Sequence, residues 1–309
     1  MIEDTFLKLK SNLELSQTFQ DTISRQYGAV SSVIQNNHAD VKKVRLIGSV
    51  GRKTRIPPPP GSNADFDIDM LVVLGTFYNW LTDGSGITPA KAMDSVQEAV
   101  KQAERYGKKN PERDNPTVTF TYENGVKVEL VPAYIDSIGK RMNGEEYTPK
   151  GRAYWVPTRT GWQLADYDHE AEQITAANAA SKGMLIPAVK MLKAAKREHF
   201  PSMKSYHLEV IAANKIPGIV AELEGKGLTP TYPLIIAYFL YRLRSYVGQS
   251  WNIAGSLSPS LQIDANARDE FIGKAAWIEE QMNAAVGSQT DRDKHLVWKN
   301  IFNDWMPMS

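Results

Sequence analysis

The sequence predicts an α+β fold: a mixed sheet with flanking helices, followed by an all-helical half. An α/β sheet with a helical appendage fits the same residues. Three observations lead there. Short apolar runs separated by turn residues lie between residues 44 and 133. Asn124-Gly125 sits between two alternating runs, the strongest short-range hairpin cue. From about residue 166 the apolar period turns helical and stays so.

The elements follow in order. The first forty residues read as helix, with Phe6, Leu7, Leu9, Leu13, Phe19 and Ile23 on one stripe and no proline among them. Val44 to Ile47 is a short strand ending at Gly48-Ser49. Pro57 to Pro60 mark a loop from Gly51 to Ala64, because four prolines fit neither a helix interior nor a central strand. Phe66 to Leu74 alternates early and is then apolar throughout, as a buried strand is. Residues 76–86 read as loop and 88–108 as helix. Thr117–Tyr122 and Val126–Ala133 form the hairpin. Residues 136–166 read as a surface connection. Helices are expected at 167–180, 184–199, 204–214, 216–223, 232–247, 265–287 and 290–304. This divides the chain into an N-terminal helix with its sheet core, 1–165, and a helical domain, 166–309.

Composition narrows the function. The 309 residues are 42% hydrophobic and 23% charged, as in an ordinary globular protein. Lys plus Arg is 36 against 35 for Asp plus Glu, so the net charge is +1 and a DNA-coating role is disfavoured. With no Cys, thiol catalysis and Cys-ligated metals are excluded. The five His are scattered, so any metal should be a hard cation held by carboxylates. The start lacks an apolar signal core. The longest nearly uncharged apolar run, Met70 to Leu81, is too short for a membrane. No membrane association and a cytoplasmic location are expected.

Three features carry chemistry. Gly48-Ser49 ends a strand, and such a turn offers backbone N–H groups and a hydroxyl to a phosphate. Alone it is a weak signal and reads first as an ordinary strand-to-loop turn. It is no P-loop, since no glycine stands at the required upstream position. Asp67 and Asp69, two apart on a strand, share one face. Like charges on an apolar strand are costly unless a cation neutralises them, and an exposed strand edge is the bland alternative. Asp65 has the same parity but reads as a loop residue or turn cap. Glu129 shares a face with Lys127 and Val131 in the next strand, where it could also be a cross-strand partner for a lysine. Three converging carboxylates could hold two metal ions for phosphoryl or nucleotidyl transfer.

Gly-Ser, then an Asp-x-Asp strand, then one acid before Val131-Pro132-Ala133, resembles the polymerase β-type nucleotidyltransferase superfamily. Downstream, Gly151-Arg152-Ala153-Tyr154-Trp155-Val156-Pro157, Met191 to Lys196, Lys204-Ser205-Tyr206-His207-Leu208-Glu209 and Trp298 to Phe302 resemble the CD-NTases. These are bacterial relatives of cyclic GMP–AMP synthase and oligoadenylate synthase. The resemblance covers roughly residues 40–305. It implies a bilobed molecule with a central cleft that joins ribonucleoside triphosphates, ATP among them, into a cyclic di- or trinucleotide messenger. That messenger would activate a separately encoded effector in anti-phage defence. It implies Asp67, Asp69 and Glu129 as the catalytic triad holding two Mg²⁺ ions, with Mn²⁺ able to substitute. Gly48 and Ser49 match the triphosphate turn, Lys193 and Ser205 the donor-triphosphate contacts, and Tyr206 the aromatic that stacks on a base.

Each has a plainer reading. Lys190, Lys193 and Arg197 form a basic helix stripe of the solvated kind. Ser205 reads as a helix N-cap and Tyr206 as core. His207 reads as a packing residue. Asn115, Arg159, Gln163 and Asp166 are candidates for reading the base. Two departures stand out: Glu where the third acid is more often Asp, and seventeen residues between Ser49 and Asp67. No Cys/His zinc element can form. A proline-docked partner at Pro57–Pro60 is an alternative use of that loop. Competing functions are a template-independent RNA or protein nucleotidyltransferase and a non-catalytic nucleotide-binding scaffold. Whether an activating protein or nucleic acid is needed cannot be read from sequence.

Overall fold

The computed structural model describes residues 1–59, 66–77, 86–140, 144–147 and 153–308. Pro60, Asp65, Gly151, Arg152 and most of the 76–86 loop lie outside them. The helical start is two helices, α1 (Ile2–Asn12) and α2 (Gln17–Asn37), parted at Leu13–Ser16. Ser16 Oγ caps α2 by accepting the Phe19 N–H at 3.3 Å. Leu7 is exposed and drops out of the stripe.

β2 (Phe66–Thr76) and β5 (Val126–Ile135) pair in parallel at the centre of a seven-stranded sheet. β1 (Lys43–Leu46) flanks β2 antiparallel. On the other side, β5 pairs with β4 (Thr117–Thr121) through the expected hairpin, and β4 with β3 (Glu112–Asp114). The far end of β5 takes β6 (Tyr154–Pro157), which pairs with β7 (Trp162–Ala165).

Alternation then decides what each face does. Phe66, Ile68, Met70 and Val72 join Val126, Val128 and Leu130 in one core. That core also takes Ile23, Val30 and Ile34 of α2 and Met93, Val96 and Val100 of α4 (Pro89–Lys101). A short α5 (Glu104–Gly107) follows α4. The opposite parity carries the acids first, then Leu71, Val73 and Ala133, which pack with Ile47, Tyr154, Val156 and Ala165.

Two expectations are corrected. The 136–166 segment is no mere surface connection, because β6 and β7 complete the sheet. Trp155 is 1% exposed, stacks on Phe77 at 4.6 Å between centroids, and donates its indole N–H to Asp136 at 2.9 Å. Four-residue strands in Gly-, Pro- and Thr-rich sequence carry too little alternation to read. The helices expected at 204–214 and 216–223 are one, α8 (Ser205–Gly225), with Pro217 inside. Pro217 removes a single backbone donor, and buried Ile216, Ile219 and Val220 hold both sides of it in the core.

The helical half comprises α6 (Tyr167–Ala180), α7 (Leu185–His199), α8, α9 (Tyr232–Tyr246), α10 (Ala265–Gly287) and α11 (Asp291–Phe302). Its core also takes Phe6 and Leu9 of α1 and Leu13 just after it. The chain thus starts on the half where it ends. Phe6 meets Trp298 edge-to-face at 4.9 Å and Phe302 at 5.7 Å. Among the described residues no helix is long and apolar enough to cross a membrane. Phe6→Ala, which empties a fully buried site between α1 and α11, should lower stability by about 3–5 kcal/mol in a urea titration.

Candidate active site

The parallel register sets Asp69 opposite Glu129 and Asp67 opposite Lys127. Asp67, Asp69 and Glu129 therefore project from neighbouring strands on one face. The Asp67 side chain is 42% exposed and that of Glu129 28%, whereas Asp69 lies deeper. Burial, then the charges of Glu129 and Asp67, push the Asp69 carboxyl up to about 6. Arg55 and Arg52 oppose that rise without cancelling it.

Asp69 is packed against Gly48. The glycine has φ +62°, and a Cβ there would stand 1.9 Å from Asp69 Oδ2. Only glycine accepts both the backbone and the contact. The Asp69 carbonyl accepts the Ile47 N–H at 3.0 Å, which brings the end of β1 to the acids. The expected Gly-Ser turn is a single helical turn, α3 (Gly48–Gly51). Ser49 lies in it, and its carbonyl accepts the N–H groups of Thr54 and Arg55 at 2.9 and 3.1 Å, curling the chain back. The first N–H groups of such a turn have no partner within it and point outward.

Cations already attend the acids. Lys127 Nζ is 2.8 Å from Glu129 and 3.4 Å from Asp114. Arg55, stacked on Phe66, is 3.6 Å from Asp67. As the side chains stand, no three acids among the described residues close around one point to hold an ion. The donor set nevertheless suits a hard divalent cation: three carboxylates with no nitrogen or sulfur, one of them raised in proton affinity by burial and by its neighbours' charge, which a bound cation would relieve.

The remaining predicted residues come from the helical half. Lys193 of α7 is 4% exposed, and its ammonium points to Glu209 and Thr54 rather than to the acids. Burial brings it down to about 8 against the pull of Glu209. Ser205 opens α8, so Lys204 takes the N-cap position, without a side-chain bond. Tyr206 is half-buried; its hydroxyl donates to Glu170, and the Arg52 guanidinium lies over its ring at 4.6 Å. Asp166 is buried and accepts the Leu257 N–H at 3.2 Å, which engages it within the fold. His207 is a buried packing residue whose imidazole is held neutral, chiefly by burial.

Three participants escape the sequence reading. Arg52, Glu209 and Glu170 are buried among the predicted residues. Glu209 closes the Lys-Ser-Tyr-His-Leu-Glu run, and its spacing gives no sign of a buried ion pair. A surface cleft of about 830 Å³ between α2, α5 and the Tyr122–Asn124 turn contains none of the site residues.

A family model described as the Second Messenger Oligonucleotide or Dinucleotide Synthetase (SMODS) domain matches residues 1–168. The chain belongs to this family. It is a nucleotidyltransferase of the CD-NTase class, of the family of cyclic oligonucleotide synthases. Solved relatives show the fold across the whole chain. CdnC of E. coli MS115-1, solved with HORMA-deltaN, is 17% identical with TM-score 0.65, covering 99% of this chain and 98% of its own. The c-UMP-AMP synthase CdnE of Rhodothermus marinus is 14% identical with TM-score 0.64, covering 93% and 98%. The cyclic AMP-GMP synthase DncV of Vibrio cholerae, solved with a linear intermediate, is 12% identical with TM-score 0.60, covering 86% and 69%. No curated protein sequence matches significantly.

Two tests follow for this CD-NTase site. Gly48→Ala should leave the fold intact at a cost of about 1–2 kcal/mol, the strain of a left-handed alanine, read by thermal melting. It should cut nucleotidyl transfer at least about a hundredfold by displacing Asp69. The second test is titration. Asp69 binds its proton more tightly folded than unfolded, so it destabilises the metal-free protein above about pH 6 and ceases to below pH 3.8. Asp69→Asn should gain up to about 3 kcal/mol over wild type at pH 8 and almost nothing at about pH 3 in metal-free denaturation. Mg²⁺ should raise the melting temperature of wild type but not of this variant.

Proposed function

We propose that this CD-NTase joins ribonucleoside triphosphates, ATP among them, into a cyclic di- or trinucleotide. Its product would activate a separately encoded effector in cytoplasmic anti-phage defence. One observation carries the enzymatic reading. The β2–β5 register gathers Asp67, Asp69 and Glu129 on one face, with Gly48 seated against Asp69.

Asp67, Asp69 and Glu129 would hold two Mg²⁺ ions, or Mn²⁺ in their place, which neutralise the triphosphate and acidify the attacking hydroxyl when bound. The chain's own residues do the rest. The outward N–H groups of α3 and the Ser49 hydroxyl receive the donor triphosphate and align it for in-line attack. Ser205 adds a hydroxyl, and Tyr206 supplies the aromatic ring that stacks on a base. Lys193 contributes positive charge from beneath the turn. The Glu129 carboxylate orients the acceptor ribose hydroxyl, which attacks the α-phosphate as pyrophosphate leaves. A second transfer in the same site closes the ring. CdnC has been solved with ATP and with a HORMA partner. By that likeness we assign this chain a place for an activating protein as well.

Product analysis tests the proposal. The purified chain with all four ribonucleoside triphosphates and Mg²⁺ or Mn²⁺ should release pyrophosphate. Mass spectrometry should find a small phosphatase-resistant product. Asp67→Asn/Asp69→Asn should lower its formation more than about a hundredfold. Linear oligomers or a nucleotidylated protein would replace the cyclic reading. Nucleotide binding with no pyrophosphate release, in the presence of a cognate activator, would make the chain a scaffold.

A further inference from the structure

The turn that faces the acids is anchored from the other half of the molecule. Arg52, which closes α3, donates through Nε to Glu209 Oε2 at 2.8 Å, across 157 positions of sequence. The other Glu209 oxygen takes Lys193 Nζ at 2.5 Å. Lys193 in turn donates to the Thr54 carbonyl at 2.8 Å and to its hydroxyl at 3.2 Å. Arg197 of α7 adds a bond to the Pro57 carbonyl at 2.8 Å. Cations thus tie residues 52, 54 and 57 to α7 and α8. Glu209 is the anion shared by two of them.

This arrangement is deeply buried. The side chains of Arg52, Glu209 and Lys193 are 10%, 2% and 5% exposed. A buried ion group stabilises a fold no better than well-packed apolar side chains of similar volume. What it supplies is fixed direction: a carboxylate with both oxygens engaged leaves each cation one place to be. The chain it directs is the one that carries Gly48 and Ser49. The turn closes on itself through Gly51 to Ile47, Arg52 to Gly48, and Thr54 and Arg55 to Ser49.

We infer that Glu209 is a positioning residue: by holding Arg52 and Lys193 together it fixes the Gly48–Gly51 turn against the helical half in the geometry that receives a triphosphate. The substrate part of this inference rests on the nucleotide reading above. Glu209 touches none of the reacting groups and acts through Arg52 and Lys193.

Hydrogen exchange followed by mass spectrometry, together with ATP binding, tests it in the full-length protein. Glu209→Gln and Arg52→Met should each speed exchange of the amides in residues 48–57 by about tenfold or more. The β5 amides should keep their protection. ATP affinity in Mg²⁺ should fall about tenfold, with KM rising more than kcat falls. Arg52→Lys, which keeps a cation for Glu209, should restore part of both. If Glu209→Gln fails to fold, Arg52→Met decides, because it leaves the Glu209–Lys193 pair in place. Unchanged exchange at 48–57 in a folded variant overturns the inference. Faster exchange with unchanged ATP affinity overturns its substrate part. Faster exchange in a protein whose wild type neither binds ATP nor releases pyrophosphate upholds the clamp and removes the nucleotide reading instead.

Discussion

The structure depends on one backbone pairing, that of β2 with β5 in parallel. It spans Phe66 to Thr76 and Val126 to Ile135, with one irregularity at Val73–Gly75. On one face it closes the core beneath α2 and α4. On the other it puts Asp69 beside Glu129. A shift of one residue would carry every side chain of β2 to the opposite face. Phe66, Ile68 and Met70, each at most 3% exposed, forbid that shift. The core on one side therefore holds the acids in place on the other. The raised proton affinity of Asp69, which comes first from its burial and then from the charges of Glu129 and Asp67, is borne by the sheet.

The local part of this site was legible. Asp67 and Asp69 declare their shared face by spacing alone, and Asn124-Gly125 announces the β4–β5 hairpin that carries Glu129. The parallel pairing of β2 with β5 has no local signature, because a strand does not name its partner. The resemblance to a family supplied that step. The missed elements share a cause. β6 and β7 are too short to show a period. Pro217 looks like a helix break until Ile216, Ile219 and Val220 are seen to be buried around it. The α1 stripe gives no sign that Phe6 will meet Trp298 at the far end of the chain.

Buried charge was the hardest feature to read. A basic stripe on α7 ordinarily means a solvated helix face. Lys190 and Lys193 are instead 5% and 4% exposed, each engaged with a glutamate: Glu14 from the α1–α2 junction and Glu209 from α8. Sequence periodicity separates apolar from polar positions. It does not separate a solvated lysine from one whose partner arrives from another element. Glu209 is held down to about 2, since Arg52 and Lys193 outweigh its own burial. It therefore stays ionised at neutral pH, and its two cations keep their anchor.

The same logic extends one shell outward. Arg52 lies over Tyr206, Tyr206 donates to Glu170, and Glu170 also accepts from Ser256 and Ser258. Ser256 and Ser258 belong to the segment joining α9 to α10, which is closed on itself by the Trp251–Leu261 bridge. Polar contacts thus run without interruption from the turn beside Asp69 to a loop far along the chain. Each buried member has a partner of complementary charge or hydrogen-bonding capacity, which makes such a network rigid rather than merely costly. The sheet half supplies the three acids together with Lys127, Arg52 and Arg55, and the helical half adds Lys193 and the anion Glu209. Neither half completes the site by itself. The CD-NTase fold here joins the acids of the sheet to the buried charges of the helical half through the Gly48–Gly51 turn at their seam.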